Sequence, residues 1–359
     1  MTDSHSAGQA APRCRVRVGS ADGLLAVVPH LLGFHPTHSL VVLGIGGPHG
    51  RIRLAFRYDL PAPPDVKLAT DIAAHAAVVL SRQHLGTAIV VGYGAGPEVT
   101  PVTDVVAPAL HAAGIDVRDM LRVQDGRYWS YLCADVACCP PDGVPFDPAG
   151  HPAASALAAA GLPALTDRAT LAATLAPAAG SAELVSEAIE RALSRAGKLI
   201  DDALGASGDG DVLRAVADAG RRAVRTAIGR YRRGGEPAGF DEVAWLGLAL
   251  TDLRVRDDAW ARMDPGFRDA HQRLWTELVR QLPDEYVPGP AALLAFTAWQ
   301  AGDGALASIA IERALQADPA YSMALLIAEA LHAGLPPSAA RLTMTPKQVA
   351  AAYARRRPS

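Results

Sequence analysis

Lysine is nearly missing from this 359-residue sequence. Only Lys67, Lys198 and Lys347 carry an ammonium group, so almost every basic residue is an arginine. The formal net charge of −3 lacks the positive excess that is typical of proteins that bind nucleic acid or anionic membranes. No stretch approaches about eighteen uninterrupted apolar residues, the length that a transmembrane helix requires. These absences predict no membrane partner and make nucleic acid an improbable one.

Recognised catalytic signatures and abundant cysteine are also absent. The chain has four cysteines and contains no GxSxG, HExxH or kinase-like set. The first residues are small and polar and lack the apolar core of a signal peptide, so we expect residues 1–13 to form a disordered tail. The sequence therefore predicts a cytoplasmic protein with free thiols. Its richness in Arg, Ala, Gly and Pro is typical of translation from a GC-rich genome.

With half of its residues hydrophobic, the chain has enough apolar side chains for two domains. The stretch 20–60 is the most ordered part of the first. Ser20 is a suitable helix cap, and Gly33 is placed to end the helix. Leu31 and Leu32 belong to an apolar stripe at helical spacing, and both are expected to be buried against the sheet. An apolar strand at 39–45 and an alternating strand at 51–58 follow, joined by a Gly-rich turn that predicts a hairpin.

The remaining elements predict a mixed parallel and antiparallel sheet with flanking helices over residues 14–150. A helix is expected at 65–85, and a second one is expected to begin at Thr100 and Pro101, with proline at its first helical position, and to end near Gly114. Strands are predicted at 15–18, 87–91, 116–123 and 127–133.

From Cys138 to about Leu165 the chain becomes rich in Pro, Ala and Gly, which predicts a domain boundary near residue 150. Residues 151–359 are expected to form a helical region, with a loop at 205–210. A tetratricopeptide-like helical hairpin is predicted at 289–334. Its Gly, small residues and Pro stand at the spacings of that repeat: Gly302, Ala307, Ile311, Ala314 and Pro319. Helices are predicted at 152–160, 168–175, 181–204, 211–232, 240–252, 256–263 and 265–282.

Several of these segments resemble DUF4192, an actinobacterial family of unknown function. The N-terminal likeness lies in four segments: SADGLL (20–25), VPHLLGFHP (28–36), SLVV (39–42) and RYDLP (57–61). The C-terminal likeness lies in three: WQAGDG (299–304), AL (314–315) and DPAYS (318–322). The resemblance covers nearly the whole chain. It implies no activity, cofactor or site residue.

A glycine loop is the sharpest ligand hypothesis. Gly92, Gly94 and Gly96 leave a buried strand and lead to the helix start expected at Thr100, where free backbone N–H groups suit a phosphate. The loop lacks the GxGxxG register and a Walker lysine, so a flexible turn is the alternative. The glycines at 44–50 lie between two strands and are expected to form only a turn.

The sequence also contains two groups of residues of the types that bind metal ions. His30, His35, His38 and His49 crowd the first stretch without a recognised ligand spacing, and solvated or capping roles are expected for them. A second cluster comprises Cys133, Cys138 and Cys139, whose C-x4-C-C spacing is not that of a zinc knuckle, and Cys14 stands apart. We expect these cysteines to be structural thiols, and zinc binding and nucleophilic reactivity are the alternatives. No metal and no cofactor is predicted.

The charged residues offer less chemistry. The adjacent pairs 201–202 and 257–258 are aspartates that point about 100° apart on a helix, so we expect solvated helix faces. Residues 221–233 carry an arginine stripe without interleaved aromatic platforms, a pattern that gives little support to nucleic-acid binding.

Two hypotheses for function remain. The leading one is a non-catalytic cytoplasmic interaction or regulatory module, with another protein as a possible partner of the helical region. The alternative is a small-molecule enzyme or nucleotide-binding domain that uses the Gly92–Gly96 loop.

Overall fold

The computed structural model describes residues 16–47, 50–180, 182–207, 212–235, 239–340 and 344–355. Contacts divide these residues into two units. We call residues 16–171 with 330–336 the sheet unit, and residues 172–329 with 337–355 the helical unit. The contact-based division falls after Leu171, later than the composition shift on which the boundary near residue 150 was based. The tail predicted at 1–13 lies outside the described residues.

The sheet unit alternates helices and strands in the predicted order. Its elements are α1 (Ala21–Leu32), β1 (Ser39–Gly46), β2 (Arg51–Asp59), α2 (Val66–Arg82), β3 (Thr87–Tyr93), α3 (Gly96–Ala112), β4 (Asp116–Gln124), β5 (Arg127–Ser130), β6 (Val144–Pro145) and α4 (Pro152–Ala159). A further helix, α5 (Arg168–Ala173), crosses the division. Residues 16–18 form no strand, contrary to prediction, and the two-residue β6 was too short to give a sequence signal.

The six strands form one sheet in the order β2-β1-β3-β4-β5-β6. Strands β3 and β4 are parallel because α3 carries the chain back across the sheet, and the other neighbours are antiparallel. The mixed sheet with flanking helices is therefore confirmed, as is the β1–β2 hairpin. The parallel pair brings the carboxyl ends of β3 and β4 to the same edge, beside the beginning of α3.

Both faces of the sheet are buried. Leu40, Val42 and Val90 pack under α2 and α3. Val41 and Val91 alternate with them and are also fully buried, so the opposite face is covered too. The core of this unit is almost entirely aliphatic.

Helix α1 begins after Ser20 and ends at Gly33, whose backbone is left-handed with φ of 77°, as predicted. Leu32 is buried, but Leu31 is 38% exposed, so the prediction that both leucines face the core is wrong for Leu31. Successive helical residues lie about 100° apart, and the stripe formed by Leu25, Val28 and Leu32 turns Leu31 towards solvent.

The helical unit contains no strand in its described residues. Its helices are α6 (Ala182–Ser207), α7 (Val212–Arg232), α8 (Phe240–Leu250), α9 (Leu253–Ala261), α10 (Arg268–Gln281), α11 (Pro288–Ala301), α12 (Gly304–Ala317) and α14 (Pro346–Arg355), and α13 (Ser322–His332) begins in it. Residues 205–207 of the loop predicted at 205–210 are helical, because α6 continues to Ser207, and residues 208–210 lie outside the described part of the chain.

Helices α11 and α12 form an antiparallel pair at the place where the hairpin was predicted. Gly302 ends α11 in the left-handed conformation, and the Asp303 side chain caps α12 by accepting from the Leu306 N–H at 2.9 Å. Ala307 and Ala314 are fully buried, as small residues at a close helix contact should be. The likeness to a tetratricopeptide repeat stays a prediction.

Residues 330–336 return to the sheet unit and bind α2. His75 Nε2 donates to the His332 carbonyl at 2.5 Å, and Arg82 donates to the Ala333 carbonyl at 2.9 Å. Gly334 lies so close to Val79 that a Cβ would be 2.8 Å from a methyl carbon, which explains the glycine. The sheet unit is thus completed by a segment distant in sequence.

Candidate functional site

The predicted glycine loop is shorter than expected. Strand β3 ends at Tyr93 and α3 begins at Gly96, so only two residues connect them. The expected helix start at Thr100 and Pro101 is wrong, because Pro97 occupies the first turn and the Ala95 carbonyl accepts from the N–H groups of the third and fourth helical residues at 3.0 Å. Thr100 lies inside the helix, where its hydroxyl is 2.8 Å from that of Tyr131.

Packing within the sheet unit accounts for two of the loop glycines. A Cβ at Gly92 would lie 2.2 Å from a methyl carbon of Val99, so the close contact of β3 and α3 requires glycine. Gly94 has a φ of 155° and donates its N–H to the Val123 carbonyl at 3.0 Å. Gly96 differs, because a Cβ there would meet only the Arg122 guanidinium at 3.8 Å. Of the three glycines, only Gly96 would place its Cβ beside the positively charged Arg122 side chain.

The charges around the start of α3 are mixed. Glu98 lies in the first turn, where a carboxylate is favoured by the helix dipole, and its Oε2 is 3.2 Å from His38 Nδ1. Arg122 stacks on the Trp129 ring at 3.6 Å and donates to Gln124 at 2.8 Å. Glu98 therefore already supplies the negative charge that an anionic ligand would bring.

The predicted histidine cluster is spread over separate contacts. His30 Nδ1 is 2.7 Å from the Leu162 carbonyl, and His38 pairs with Glu98. Burial lowers the pKa of His35, whose backbone N–H donates to the Leu165 carbonyl at 2.9 Å. His49 lies outside the described residues. Among the described residues, the side chains of His30 and His38 thus make separate contacts, and the histidines of this stretch form no group of three metal-ligating side chains.

The cysteines are brought together. The sulfur atoms of Cys133, Cys138 and Cys139 all lie within 4.8 Å of one another. Strand β5 ends before them, so they stand in the loop that follows it, and Cys14 lies outside the described part. A hydrogen bond from the Asp135 backbone lowers the pKa of Cys133, whereas the bond to Cys133 raises the pKa of Cys139 to about 12.

Sequence reasoning missed a cavity in the helical unit. Its volume is about 510 Å³, within the roughly 300–1,000 Å³ typical of ligand pockets. The lining includes residues from α9, α10, α11 and the α9–α10 connection: Trp260, Met263, Arg268, His271, Phe296 and Thr297. The Trp260 and Phe296 rings meet edge to face at 5.3 Å and give the cavity an apolar wall.

A buried histidine lines this cavity. His271 is 1% exposed, and burial lowers its pKa to about 4, so the ring is neutral at pH 7. Its Nε2 is 3.4 Å from both the Asp264 N–H and Arg232 Nη2, which are donors. Nε2 is therefore the acceptor and Nδ1 carries the proton. Within the described residues that Nδ1–H has no acceptor.

Two further groups at the cavity lack partners in the described part of the chain. Trp260 Nε1 is buried without an acceptor. Arg268 is exposed and makes no hydrogen bond or ion pair there. Asp264, the lining carboxylate, is engaged, since it accepts from the Gly266 N–H at 2.9 Å and lies 3.8 Å from Arg232. Among the described residues, the Trp260 and His271 N–H groups are thus buried beside the cavity without an acceptor, Arg268 adds a cation to its lining, and the lining carboxylate of Asp264 is already paired.

The aspartate pairs differ from each other. Asp201 is exposed, as predicted, but Asp258 is 3% exposed, so the prediction of a solvated face is wrong there. Arg262 donates to both oxygens of Asp258, at 2.6 and 3.0 Å. A buried charge needs such a partner.

The cavity contains no activated nucleophile in the described residues. The Thr297 hydroxyl donates to the Leu293 carbonyl at 2.8 Å in its own helix. Nucleophilic catalysis requires the hydroxyl to donate to a base instead.

Residues 22–338 match the family model described as a domain of unknown function, DUF4192. The chain belongs to this family. The match confirms the resemblance and extends over both units, with α14 beyond it. No curated protein and no solved structure matches the chain. Among the described residues, no helix has the length and apolarity to cross a membrane.

Proposed function

We propose that this protein is a non-catalytic regulatory module whose helical unit binds a small apolar molecule that carries a carboxylate. The observation that supports this most is the cavity of about 510 Å³, where two buried N–H donors without acceptors and the unpaired Arg268 accompany aromatic walls in the described structure.

The apolar part of the ligand follows from the walls. Trp260 and Phe296 present flat hydrocarbon surfaces, and Met263 adds a thioether that adapts to irregular shapes. An aromatic ring or a branched aliphatic chain would remove this surface from water. Burial of apolar area contributes roughly 25 cal/mol per Å², so a ring supplies much of the affinity.

The carboxylate follows from the donors. A carboxylate only accepts hydrogen bonds, which matches the N–H groups of His271 and Trp260 and the guanidinium of Arg268. Bonds to a charged acceptor are stronger than neutral ones. A neutral His271 donates without adding charge, so the cation that selects an acid is Arg268.

The proposal places this module in the cytoplasm of an actinobacterium, where a protein partner would sense the ligand-bound helical region. The three cysteines of the sheet unit are unpaired, which suits a reducing compartment. The arginine-rich, lysine-poor composition suits a GC-rich genome.

Calorimetry with matched ligand pairs tests the proposal. Each aromatic or branched carboxylate, such as phenylacetate, is titrated beside its primary amide, phenylacetamide. We expect an acid to bind with 1:1 stoichiometry and at least tenfold tighter than its amide, because a hydrogen bond to a charged group is worth about 1.5–3 kcal/mol.

Arg268→Gln should erase the preference for the acid. Arg225→Gln is the matched control, since Arg225 is an exposed arginine of α7 outside the cavity lining. Ala261→Leu should place three additional carbon atoms in the cavity and weaken binding of both ligands. Equal binding of acid and amide by wild type, or unchanged binding by Ala261→Leu, would contradict the proposal.

A second candidate is a phosphate-bearing nucleotide at the start of α3. Its support is the Arg122 guanidinium beside Gly96, at the carboxyl edge of β3 and β4. The function would be assigned to the sheet unit if the protein bound a nucleotide, if Gly94→Val and Arg122→Gln each removed that binding, and if Arg268→Gln left it intact. No saturable binding of nucleotides would dismiss this candidate.

A further inference from the structure

The loop between β5 and β6 brings three thiols to one point. Cys133, Cys138 and Cys139 offer sulfur atoms within 4.8 Å of one another. All three cysteines are unpaired. Cys138 is exposed and the other two are partly so, which leaves the cluster open to ions from solvent.

A tight turn produces this convergence. The Asp135 carbonyl accepts from the N–H groups of Cys138 and Cys139, at 3.1 and 2.7 Å. The Asp135 side chain accepts from the Ala137 N–H at 2.9 Å and fixes the turn from inside. The chain therefore folds back on itself and returns the two adjacent cysteines to Cys133.

The first cysteine is anchored to the sheet. Ser130, the last residue of β5, accepts from the N–H of Cys133 at 3.2 Å and donates to Asp119 of β4 at 2.9 Å. The backbone of Cys133 is thereby held at the end of a strand while the turn supplies the other two sulfurs. Preformed ligand positions of this kind lower the cost of binding an ion.

We infer that Cys133, Cys138 and Cys139 bind one zinc ion through their sulfur atoms. A tetrahedral site with Zn–S bonds of about 2.3 Å places its sulfurs about 3.8 Å apart. The observed spacing within 4.8 Å requires only small side-chain movements. Sulfur ligands select zinc and other soft ions over magnesium or calcium.

Binding has a defined balance. Each thiol gives its proton to the buffer and its sulfur lone pair to the metal, so three protons leave, and the zinc–thiolate group carries one net negative charge. Among the described residues, no carboxylate, imidazole or further thiol joins these three cysteines as a fourth ligand. A water molecule therefore completes the tetrahedron, as in sites with three protein ligands.

A metal explains the arrangement better than a disulfide. A disulfide would use two sulfurs and leave the third without a role. The loop also exposes Leu132 and Val136, so it has little apolar core of its own to hold this shape. The C-x4-C-C spacing predicted structural thiols because it matches no known ligand pattern. The backbone turn at Asp135, which the spacing does not reveal, is what brings the three sulfur atoms together.

Metal analysis of the full chain, purified under reducing conditions, tests the inference. We expect one zinc per chain, and cobalt substitution should show intense sulfur-to-metal charge transfer and a tetrahedral visible spectrum. Cys133→Ser, Cys138→Ser and Cys139→Ser should each weaken binding by at least tenfold. Cys14→Ser is the matched control and should retain the metal and the cobalt spectrum.

A further variant tests the zinc site without replacing a cysteine, in case a cysteine variant does not fold. Ser130→Ala removes the anchor without touching a ligand and should weaken zinc binding about 10–100-fold, as loss of a supporting hydrogen bond does. A reduced, folded chain without zinc or a cobalt–thiolate band would overturn the inference, as would a disulfide between two of the three cysteines in protein handled under native redox conditions.

Discussion

The two units of this protein bury different kinds of side chain. Among the described residues, the buried polar side-chain groups of the sheet unit include the hydroxyls of Ser39, Tyr93 and Thr103. The helical unit buries the ionisable residues Arg256, Asp258 and His271. Four of the five tryptophans, all except Trp129, also lie in the helical unit.

The two units therefore carry their ionisable and reactive side chains in different places. Charged and thiol groups of the sheet unit lie beyond strand ends, as Glu98 in the first turn of α3 and Cys138 in the loop after β5 show. Those of the helical unit lie inside, around a cavity. An aliphatic sheet core is stable without polar partners, whereas buried charges in a helical unit are tolerated only when they are paired or have a use.

The largest effect is expected in the aliphatic core. Leu32→Ala should lower the free energy of unfolding by about 2–5 kcal/mol, because it leaves a cavity under α1. Leu31→Ala is the matched control and should melt close to wild type, since Leu31 faces solvent. Thermal and urea unfolding measure both. Equal losses in the two variants would mean that α1 does not pack as described.

The buried ion pair is next. Asp258→Ala should cost about 3 kcal/mol, because Arg262 loses both of its acceptors while it is still mostly buried. Asp201→Ala, on an exposed face of α6, should change stability by less than about 0.5 kcal/mol. Urea unfolding followed by tryptophan fluorescence reports on the helical unit. If Asp258→Ala were as stable as wild type, the buried ion pair would not distinguish the interior of the helical unit from that of the sheet unit.

A smaller effect is expected from acid. His271 has a pKa of about 4 when folded and close to 6.5 when unfolded, so the unfolded state binds a proton first as the pH falls. Stability due to its neutral form is complete above pH 6.5 and is lost between about pH 6.5 and 4, by roughly 2–3 kcal/mol.

His271→Gln supplies the control for the acid effect. The variant should lose less stability than wild type between pH 7 and about pH 4.5, as measured by urea unfolding with tryptophan fluorescence. Identical pH slopes for the two proteins would show that His271 is not buried in its neutral form.

Sequence patterns located most elements because their signals are local. Apolar periodicity and the terminal glycines Gly33 and Gly302 marked helices within a few residues. Errors arose where two local signals competed. Pro97 and Pro101 both suit the first turn of a helix, and in the structure Pro97 lies in the first turn of α3 while Pro101 lies inside the helix. Leu31 and Leu32 are equally apolar, and only the direction of the core distinguishes them.

The sites were harder to predict because they depend on distant residues. Trp260 and Phe296 stand on different helices, and no spacing in the sequence indicates that they meet. The cysteine cluster is local, but its convergence depends on a turn made by backbone hydrogen bonds of Asp135. The glycine loop was visible in the sequence, and the contact between Gly92 and Val99 was not.

Amide hydrogen exchange with and without a bound aromatic carboxylate tests the central claim most directly, because it locates the ligand on the chain. We expect slower exchange in peptides that cover α9, residues 262–267, α10 and α11, and no change in residues 93–100 at the start of α3. Slower exchange at residues 93–100, with α9 to α11 unaffected, would contradict the assignment of ligand binding to the helical unit.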